Sequence, residues 1–366
     1  MGSDQRHSSR TRIAHIAVGS TVALAVVVGA LYFSGAYDSW TGKATSSAPC
    51  DGLVPIRQAE ELLGARELTS DAPSWDGDFS QPKQCWLDPK KHEPDGEEHS
   101  LTVSASRTAG SRELLLDLDR FMSDSDTQTV SPIGHGWRGL LNTYTTDPRA
   151  TVVMACDTGD RSDLTVNLRA RYPVLAEPLT ERQRVELARL ATETAANVAE
   201  RAGCRATEGD TVDSVAAPIP PRFDNTTAVA PGKATGTCAN VQAPTRETAT
   251  DPLAPVEDCI VVDASHTPSF RLAAYYGSYV EDGHVATYKR GDDGLFRGRS
   301  GEAEGVQWAT ATCPAQGGTA FFTAEPFHAR QAPEPFLRRS AFRAFATRSA
   351  KEHGCEAPEF DDPRSE

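Results

Sequence analysis

The longest apolar run of the chain lies near its amino end. Residues 13–33 form 21 consecutive positions without Asp, Glu, Lys or Arg. A helix of this length extends about 31 Å, which matches the hydrocarbon thickness of a bilayer. The apolar region of a cleavable signal peptide is shorter, about 7–15 residues. We therefore expect residues 13–33 to form a transmembrane helix, with a signal peptide cleaved near Ser34, Gly35 and Ala36 as the alternative.

The charges beside this run predict its orientation. Residues 1–12 contain Arg6, Arg10 and Arg12, and Asp4 is the only acid among them. Arg-rich flanks stay in the cytoplasm. We therefore expect a single-pass protein of the cell membrane, with residues 1–12 cytoplasmic and everything after the helix extracytoplasmic. Residues 34–49 are small and polar, which favours a stalk.

Beyond the stalk, short apolar runs and period-two alternation predict strands, and apolar residues along one face of residues 181–202 predict a long helix. The helices are expected near residues 56–64, 111–121, 181–202 and 334–353. The strands are expected near residues 84–87, 101–105, 140–146, 151–156, 164–172, 259–262, 270–279, 284–290, 306–313 and 319–323. Each half of the chain thus has several strands followed by a long helix that ends in Gly-Cys.

This repeated order predicts a duplicated domain. We expect a first α+β domain at residues 50–204 and a second, related one at residues 238–355. Each should contain an antiparallel sheet packed with helices. Residues 205–237 are rich in Pro and lack sustained periodicity, which favours an interdomain linker. Residues 356–366 are expected to be an acidic tail.

The cysteines indicate the compartment. All eight follow the predicted membrane helix, at Cys50, Cys85, Cys156, Cys204, Cys238, Cys259, Cys313 and Cys355. An even number in an oxidising compartment favours disulfides. A zinc site, the alternative, requires close pairs, whereas the smallest gap here is 21 residues. If each domain is self-contained, the simplest pairing is Cys50–Cys85, Cys156–Cys204, Cys238–Cys259 and Cys313–Cys355.

A short motif at the start of the first domain carries a resemblance. The matching residues are Pro49, Cys50, Leu53, Ala59, Leu62, Gly64, Cys85 and Trp86. In this pattern the chain resembles actinobacterial membrane-anchored cell-envelope proteins of unknown function. The resemblance covers the first half and implies an α+β fold outside the membrane. It implies no catalytic residues.

Several motifs contain residue types that are found in catalytic or metal sites. Asp157-Thr158-Gly159 resembles an aspartic-protease loop, but the second half has no partner aspartate. The acids Asp157, Asp160 and Asp163 do not fit a calcium loop. His92 and His99 flank an acidic loop without helical metal-ligand spacing. Gly134-His135-Gly136-Trp137 predicts a tight turn with a packed Trp, and a binding tip is the alternative. We nominate no catalytic, cofactor-binding or metal-binding residue.

Charge limits the partners. A formal net charge of −14 without a basic, aromatic-interleaved patch disfavours nucleic acid. The membrane, through residues 13–33, and an envelope protein or cell-wall component are the expected partners. The sequence therefore favours a non-catalytic binding, sensing or scaffolding module of the bacterial cell envelope. The alternative is an envelope hydrolase that acts on peptide or peptidoglycan without a recognisable motif.

Overall fold

The computed structural model describes residues 48–71, 75, 77–90, 99–107, 129–143, 147–156, 163–172, 179–219, 228–281, 296, 298–303, 305–314, 318–327 and 335–360. Within these ranges no helix is long and apolar enough to cross a membrane. The predicted transmembrane helix at residues 13–33 lies outside the described residues. So do the predicted helix at 111–121 and the predicted strand at 284–290.

The first domain is a seven-stranded antiparallel sheet with two helices. A 3-10 turn at Pro49–Gly52 leads into helix α1 (Ile56–Leu63), and helix α2 (Glu181–Arg201) closes the domain. The strand order across the sheet is β1-β2-β3-β7-β6-β5-β4. The strands are β1 (Leu68–Asp71), β2 (Lys83–Pro89), β3 (Ser100–Arg107), β4 (Ser131–Gly134), β5 (Trp137–Asn142), β6 (Arg149–Met154) and β7 (Leu164–Arg171).

Local sequence sets the ends of both helices. Gly64 adopts φ 65°, a left-handed conformation in which glycine ends a helix without steric penalty. Thr180 begins α2 with a capping box, in which its hydroxyl accepts the Gln183 N–H and the Gln183 side chain accepts the Thr180 N–H. These signals explain why the predicted ends of both helices agree with the structure to within one residue.

The second domain is a six-stranded antiparallel sheet covered by one long helix. Its strand order is β11-β12-β13-β10-β9-β8. The strands are β8 (Thr245–Glu247), β9 (Val256–Val262), β10 (Pro268–Tyr275), β11 (Ser300–Ala303), β12 (Val306–Cys313) and β13 (Gly318–Pro326). The helices are the short α3 (Ser278–Glu281) and the long α4 (Pro335–Glu352).

The two sheets share one topology. Read across the sheets from one edge to the other, β1-β2-β3-β7-β6-β5 of the first sheet correspond to β8-β9-β10-β13-β12-β11 of the second, and β4 is an extra edge strand. In both domains the long helix follows the last strand of the domain. This last strand, β7 or β13, pairs with the third strand, β3 or β10. The α+β class and the two related antiparallel sheets predicted from the sequence are confirmed.

The sequence missed several elements. Strands β1, β4, β8 and β11 have only three or four residues and lack a clear alternation. The predicted strand at 270–279 is wrong at its end, because β10 stops at Tyr275 and Ser278 begins α3. Gly277 separates them with φ 55°, a left-handed conformation that interrupts an extended chain.

Four disulfides join the eight predicted cysteines in the predicted pairs: Cys50–Cys85, Cys156–Cys204, Cys238–Cys259 and Cys313–Cys355. Each stays within one domain. In each domain, one bond joins the Gly-Cys pair after the long helix to the sheet. Its partner cysteine is Cys156, just after β6, in the first domain and Cys313, at the end of β12, in the second. The bonds occupy equivalent positions in both domains, as a duplication predicts.

The segments predicted as linker and tail pack closely where the structure describes them. Val212 and Val215 join the core of the first domain. Val229 forms a β-bridge with Thr245 at the edge of the second sheet. The Glu359 amide donates to the Thr310 carbonyl at 3.0 Å, so the chain after α4 runs along β12. These segments therefore add contacts to the folded domains.

The domains also share a hydrophobic cluster. Its members from the first domain are Val130, Leu140 and Val153, and its second-domain members include the large side chains Tyr275, Tyr279, Phe296, Trp308 and Phe321. Two hydrogen bonds flank it. The Val130 amide donates to Asp258 Oδ2 at 2.9 Å, and Ser278 Oγ donates to Asp163 Oδ2 at 3.0 Å. The two sheets thus pack through the faces that lie away from their long helices.

Candidate functional site

The Gly134–Trp137 motif is the turn of the β4–β5 hairpin. His135 adopts φ 57°, and the flanking glycines also have positive φ. Trp137 is buried, and its Nε1–H donates to the Asp210 carbonyl at 2.8 Å. The prediction of a tight turn with a packed Trp is confirmed. The turn does not present Trp137 as a binding tip.

A groove opens beside this hairpin, where the two domains and the connecting segment meet. It has a volume of about 310 Å³ and is lined by residues 132–135 of the hairpin, 214–216 of the connection and 249–251 of the second domain. Small-molecule sites favour domain junctions and begin at roughly this volume. The groove is therefore a candidate for a small or narrow ligand.

The polar groups of the groove are few and already ordered. His135 Nε2 lies 2.9 Å from the Ser214 carbonyl oxygen and 3.5 Å from Asp213 Oδ1. Asp251 Oδ1 accepts the Leu253 amide at 2.8 Å. Backbone and small side chains make up most of the remaining wall. This arrangement can bind a ligand by shape and hydrogen bonds. Its ionisable side chains, His135 and Asp251, already contact neighbouring residues.

A second polar cluster is buried between α4 and the second sheet. Arg348 donates to Glu257 through Nη2 at 3.0 Å, to Glu352 Oε2 at 2.7 Å and to the Thr237 carbonyl at 2.6 Å. Ser349 Oγ donates to Glu257 Oε2 at 2.5 Å. Helix α4 is thereby joined to β9 and to the segment before β8 through polar contacts inside the domain.

Two aromatic rings complete this cluster. Tyr276 and His353 stack with ring centroids 3.7 Å apart and planes at 10°. The Tyr276 hydroxyl lies 2.6 Å from Ser349 Oγ, and His353 Nε2 lies 3.4 Å from Glu257 Oε1. In the first domain the corresponding place lies between the end of β3 and the residue after α2. There Arg107 Nη2 donates to the Ala202 carbonyl at 3.3 Å.

The environment changes the protonation of this cluster. Burial by itself raises the pKa of Glu257, but the contact with His353 and the charge of Arg348 outweigh burial and lower the pKa to about 2. Burial, followed by the negative charge of Glu257, raises the pKa of Tyr276 well above its usual value. Glu257 is therefore an anion and Tyr276 a neutral hydroxyl across the physiological range.

Perturbed carboxylates often mark active sites when they line a cleft. Here Glu257, Ser349 and His353 are all at most 3% exposed, and they are covered by α4. A substrate cannot reach them without displacement of that helix. The cluster fits a structural role, in which ion pairs and hydrogen bonds satisfy polar groups that the fold has buried.

The other residues considered from the sequence are dispersed. Asp157, Asp160 and His92 lie outside the described residues. Asp163 accepts the Ser278 hydroxyl, and His99 Nδ1 lies 3.0 Å from the Leu63 carbonyl oxygen. No group of three or more His, Cys, Asp or Glu in the described ranges is placed to hold a metal ion.

Sequence reasoning missed both the groove and the buried cluster. The groove forms from three segments far apart in the chain, and its small residues carry no periodic signal. The cluster had one signal: Glu257 and Asp258 are consecutive acids inside a seven-residue strand that is buried throughout. Comparison with protein-family models, with curated proteins and with solved structures finds no match to the chain.

Proposed function

We propose that the chain is a non-catalytic binding, sensing or scaffolding module of the bacterial cell envelope. Residues 13–33 anchor it in the cell membrane, and both α+β domains face the extracytoplasmic side. The resemblance of its first half to actinobacterial membrane-anchored envelope proteins fits this proposal. The ligand or partner binds at surfaces of the two domains, of which the interdomain groove is one.

One observation carries the proposal. All eight cysteines form disulfides, within two domains that follow the apolar run. Structural disulfides persist in oxidising compartments and are rare in the cytosol. The groove between the domains supports binding, and the most perturbed carboxyl, Glu257, is enclosed beneath a helix rather than exposed to a substrate.

The orientation can be tested by labelling single cysteines introduced on either side of the anchor. The full chain is expressed in a bacterial host as Ser8→Cys or as Ser46→Cys, and protoplasts are treated with a membrane-impermeant maleimide. Ser46→Cys should be labelled in intact protoplasts, and Ser8→Cys only after lysis. The reverse pattern would contradict the proposed topology, and a soluble protein that lacks residues 1–36 would favour the cleaved signal peptide.

The non-catalytic assignment has its own test. The purified full chain is incubated with isolated peptidoglycan, and soluble sugar and peptide fragments are measured over time. We expect no release above the buffer control. Release of fragments that increases with protein concentration would replace this proposal with the hydrolase alternative.

A further inference from the structure

The outer face of the first sheet, which lies opposite α2, is covered only in part. At the end near the second domain, the outward side chains of its central strands are buried. These buried residues are Ser104, Ser106, Thr151, Val153, Thr165 and Asn167. Toward the other end the same face becomes partly exposed, beginning with the next row of side chains, in which Trp86 is exposed and its neighbours are half-buried. The sheet therefore extends past the second domain and presents an open surface.

The first partly exposed row crosses four strands. Trp86 on β2 is paired in register with Thr102 on β3, which is paired with Arg169 on β7 and then Arg149 on β6. Neighbouring strands lie about 4.8 Å apart, so this row extends roughly 14 Å across the sheet. Paired residues project from the same face. An indole, a hydroxyl and two guanidiniums are thus aligned on one flat surface.

Trp86 is the exposed aromatic of this surface. It is 43% exposed, whereas Trp75, Trp137 and Trp308 are at most 6% exposed. Removing the apolar face of such a ring from water by contact with the apolar face of a ligand is favourable. Since Cys85 and Leu87 on either side point into the core, the strand period requires Trp86 to point outward.

The charged groups lie on β7 and beside Trp86 on β2. Arg169 and Arg171 both pair with Asp147, and their side chains are 38% and 65% exposed. Two guanidiniums have ten N–H donors between them, more than one carboxylate can accept. Asp88 is exposed on the same strand as Trp86, two residues along β2. The surface therefore offers an aromatic ring with an acceptor beside it on β2, and two cations two strands away on β7.

The scarcity of exposed apolar side chains on this surface argues against a protein partner. Stable protein interfaces bury about 800 Å² on each side and have a cluster of apolar anchors. Among the described residues only Trp86 and Leu253 are exposed large hydrophobic side chains, and Leu253 belongs to the second domain. A single ring surrounded by hydrogen-bonding groups fits a narrow, hydroxyl-rich ligand better.

We propose that Trp86, Thr102 and Arg169 of this row, together with Arg171 two residues farther along β7, bind a polysaccharide of carboxylated sugars. These four residues are here called the tryptophan row. The apolar C–H face of one sugar ring stacks on the Trp86 indole. The carboxylate of a sugar farther along the chain pairs with Arg169 and Arg171, because the guanidinium fork matches a planar carboxylate. Asp88 accepts hydroxyl groups of the sugar that stacks on Trp86, because it lies two residues away on the same strand. Carboxylated sugars carry the charge on the ring itself, so one short stretch of polymer satisfies both parts of the row.

This inference rests on the proposed function in one respect, since the domain must face the cell wall for such a polymer to reach it. Binding is tested with the purified full chain in detergent, by titration with polygalacturonate and with dextran as the neutral control. Isothermal titration calorimetry measures the affinity of the unchanged chain and of every variant, because its signal does not depend on the Trp86 indole. We expect saturable binding of polygalacturonate that weakens with added salt, and no binding of dextran at the same concentrations.

Substitutions locate the site. Trp86→Ala and Arg171→Gln should each weaken binding about tenfold, which corresponds to about 1.4 kcal/mol. Trp86→Phe should retain most of the affinity. Leu253→Ala and Arg182→Gln change an exposed apolar residue and an exposed arginine elsewhere, and they should bind within about twofold of the unchanged chain. Thermal unfolding of each variant verifies that it is folded.

Three results would overturn the inference: no binding of polygalacturonate, equal binding by Trp86→Ala, or stronger binding of a phosphate polymer such as teichoic acid. Each of these leaves the labelling result untouched. If the maleimide pattern places the domains outside and polygalacturonate fails to bind, only the tryptophan row assignment falls. If polygalacturonate binds and the maleimide pattern is reversed, the proposed topology is wrong and the proposed ligand class is still supported.

Discussion

Arg348 and Glu257 form an ion pair inside the second domain. The guanidinium Nη2 lies 3.0 Å from the carboxylate Oε2, and the two side chains are 4% and 2% exposed. The pair joins α4 to β9, and Ser349 and Glu352 provide further hydrogen bonds. Two charges so far from water remain stable because each neutralises the other and most of their polar atoms have hydrogen-bond partners.

The first prediction concerns Arg348. Arg348→Met should lower the free energy of unfolding by about 3–5 kcal/mol, because Glu257 would remain buried without its cation. Arg339→Met, on the same helix but 53% exposed, is the control and should cost less than about 1 kcal/mol. Urea unfolding at neutral pH measures both. Equal effects of the two substitutions would contradict the structural role of the pair.

The second prediction is a pH dependence. The pKa of Glu257 is about 2 in the folded chain and 4.5 without these contacts. A lowered pKa stabilises the fold above pH 4.5, and this contribution is lost as the pH falls toward 2. The contribution is on the order of 3 kcal/mol. Glu257→Gln should therefore destabilise strongly at pH 7 and much less near pH 2.5.

Denaturant unfolding of the unchanged chain and of Glu257→Gln at several pH values measures this difference. Other carboxyls with lowered pKa, such as Asp263 and Glu302, contribute to both proteins and cancel in the comparison. The exposed Glu208→Gln serves as the control and should follow the unchanged chain at every pH. A constant difference between the chain and Glu257→Gln from pH 7 to 2.5 would rule out the assigned pKa.

The third prediction concerns the disulfide at the end of α2. Replacement of Cys156 and Cys204 by Ser should cost about 2–4 kcal/mol, because the bond closes a loop of 48 residues. Replacement of Cys238 and Cys259, which close 21 residues, should cost less by the same chain-entropy argument. Non-reducing urea unfolding measures both. A larger loss from the shorter loop would show that strain or local packing, and not loop length, determines their contributions.

The fourth prediction tests the docking of the connecting segment. A Cβ on Gly209 would lie 2.5 Å from the His135 carbonyl oxygen and 2.5 Å from Trp137 Cδ1. Gly209→Ala should therefore displace this segment from the hairpin, at a cost of about 1–3 kcal/mol, and alter the fluorescence of Trp137. The neighbouring exposed Glu208→Ala should leave both unchanged. A Gly209→Ala variant with unaltered stability would mean that the segment is not held against the hairpin.

Much of the fold was predictable because local rules agree with the packing. The long helix at 181–201 has apolar residues along one face and begins with a capping box. A Gly-Cys pair follows both this helix and the helix at 335–352 and marks their ends. The strand at 306–313 was predicted to the residue. The disulfide pairs followed from the repeated order, since a duplicated domain must close its bonds in equivalent places.

The candidate sites were far less predictable. The groove joins residues near 133, 215 and 250, and nothing local indicates that the chain brings them together. The role of Glu257 depends on Arg348, which lies 91 positions away. In the sequence, Trp86 was only part of the motif at the start of the first domain. Its exposure could not be predicted, because the exposure depends on how far the second domain covers the sheet.

The sequence by itself determined the secondary structure class, the duplication and the cysteine pairs, because each depends on periodicity or order along the chain. The tertiary structure alone decided which polar groups are buried together, how the sheets pack face to face and which part of the first sheet stays open. Those features depend on contacts between distant segments, whose free energies arise only when the domains have folded against each other.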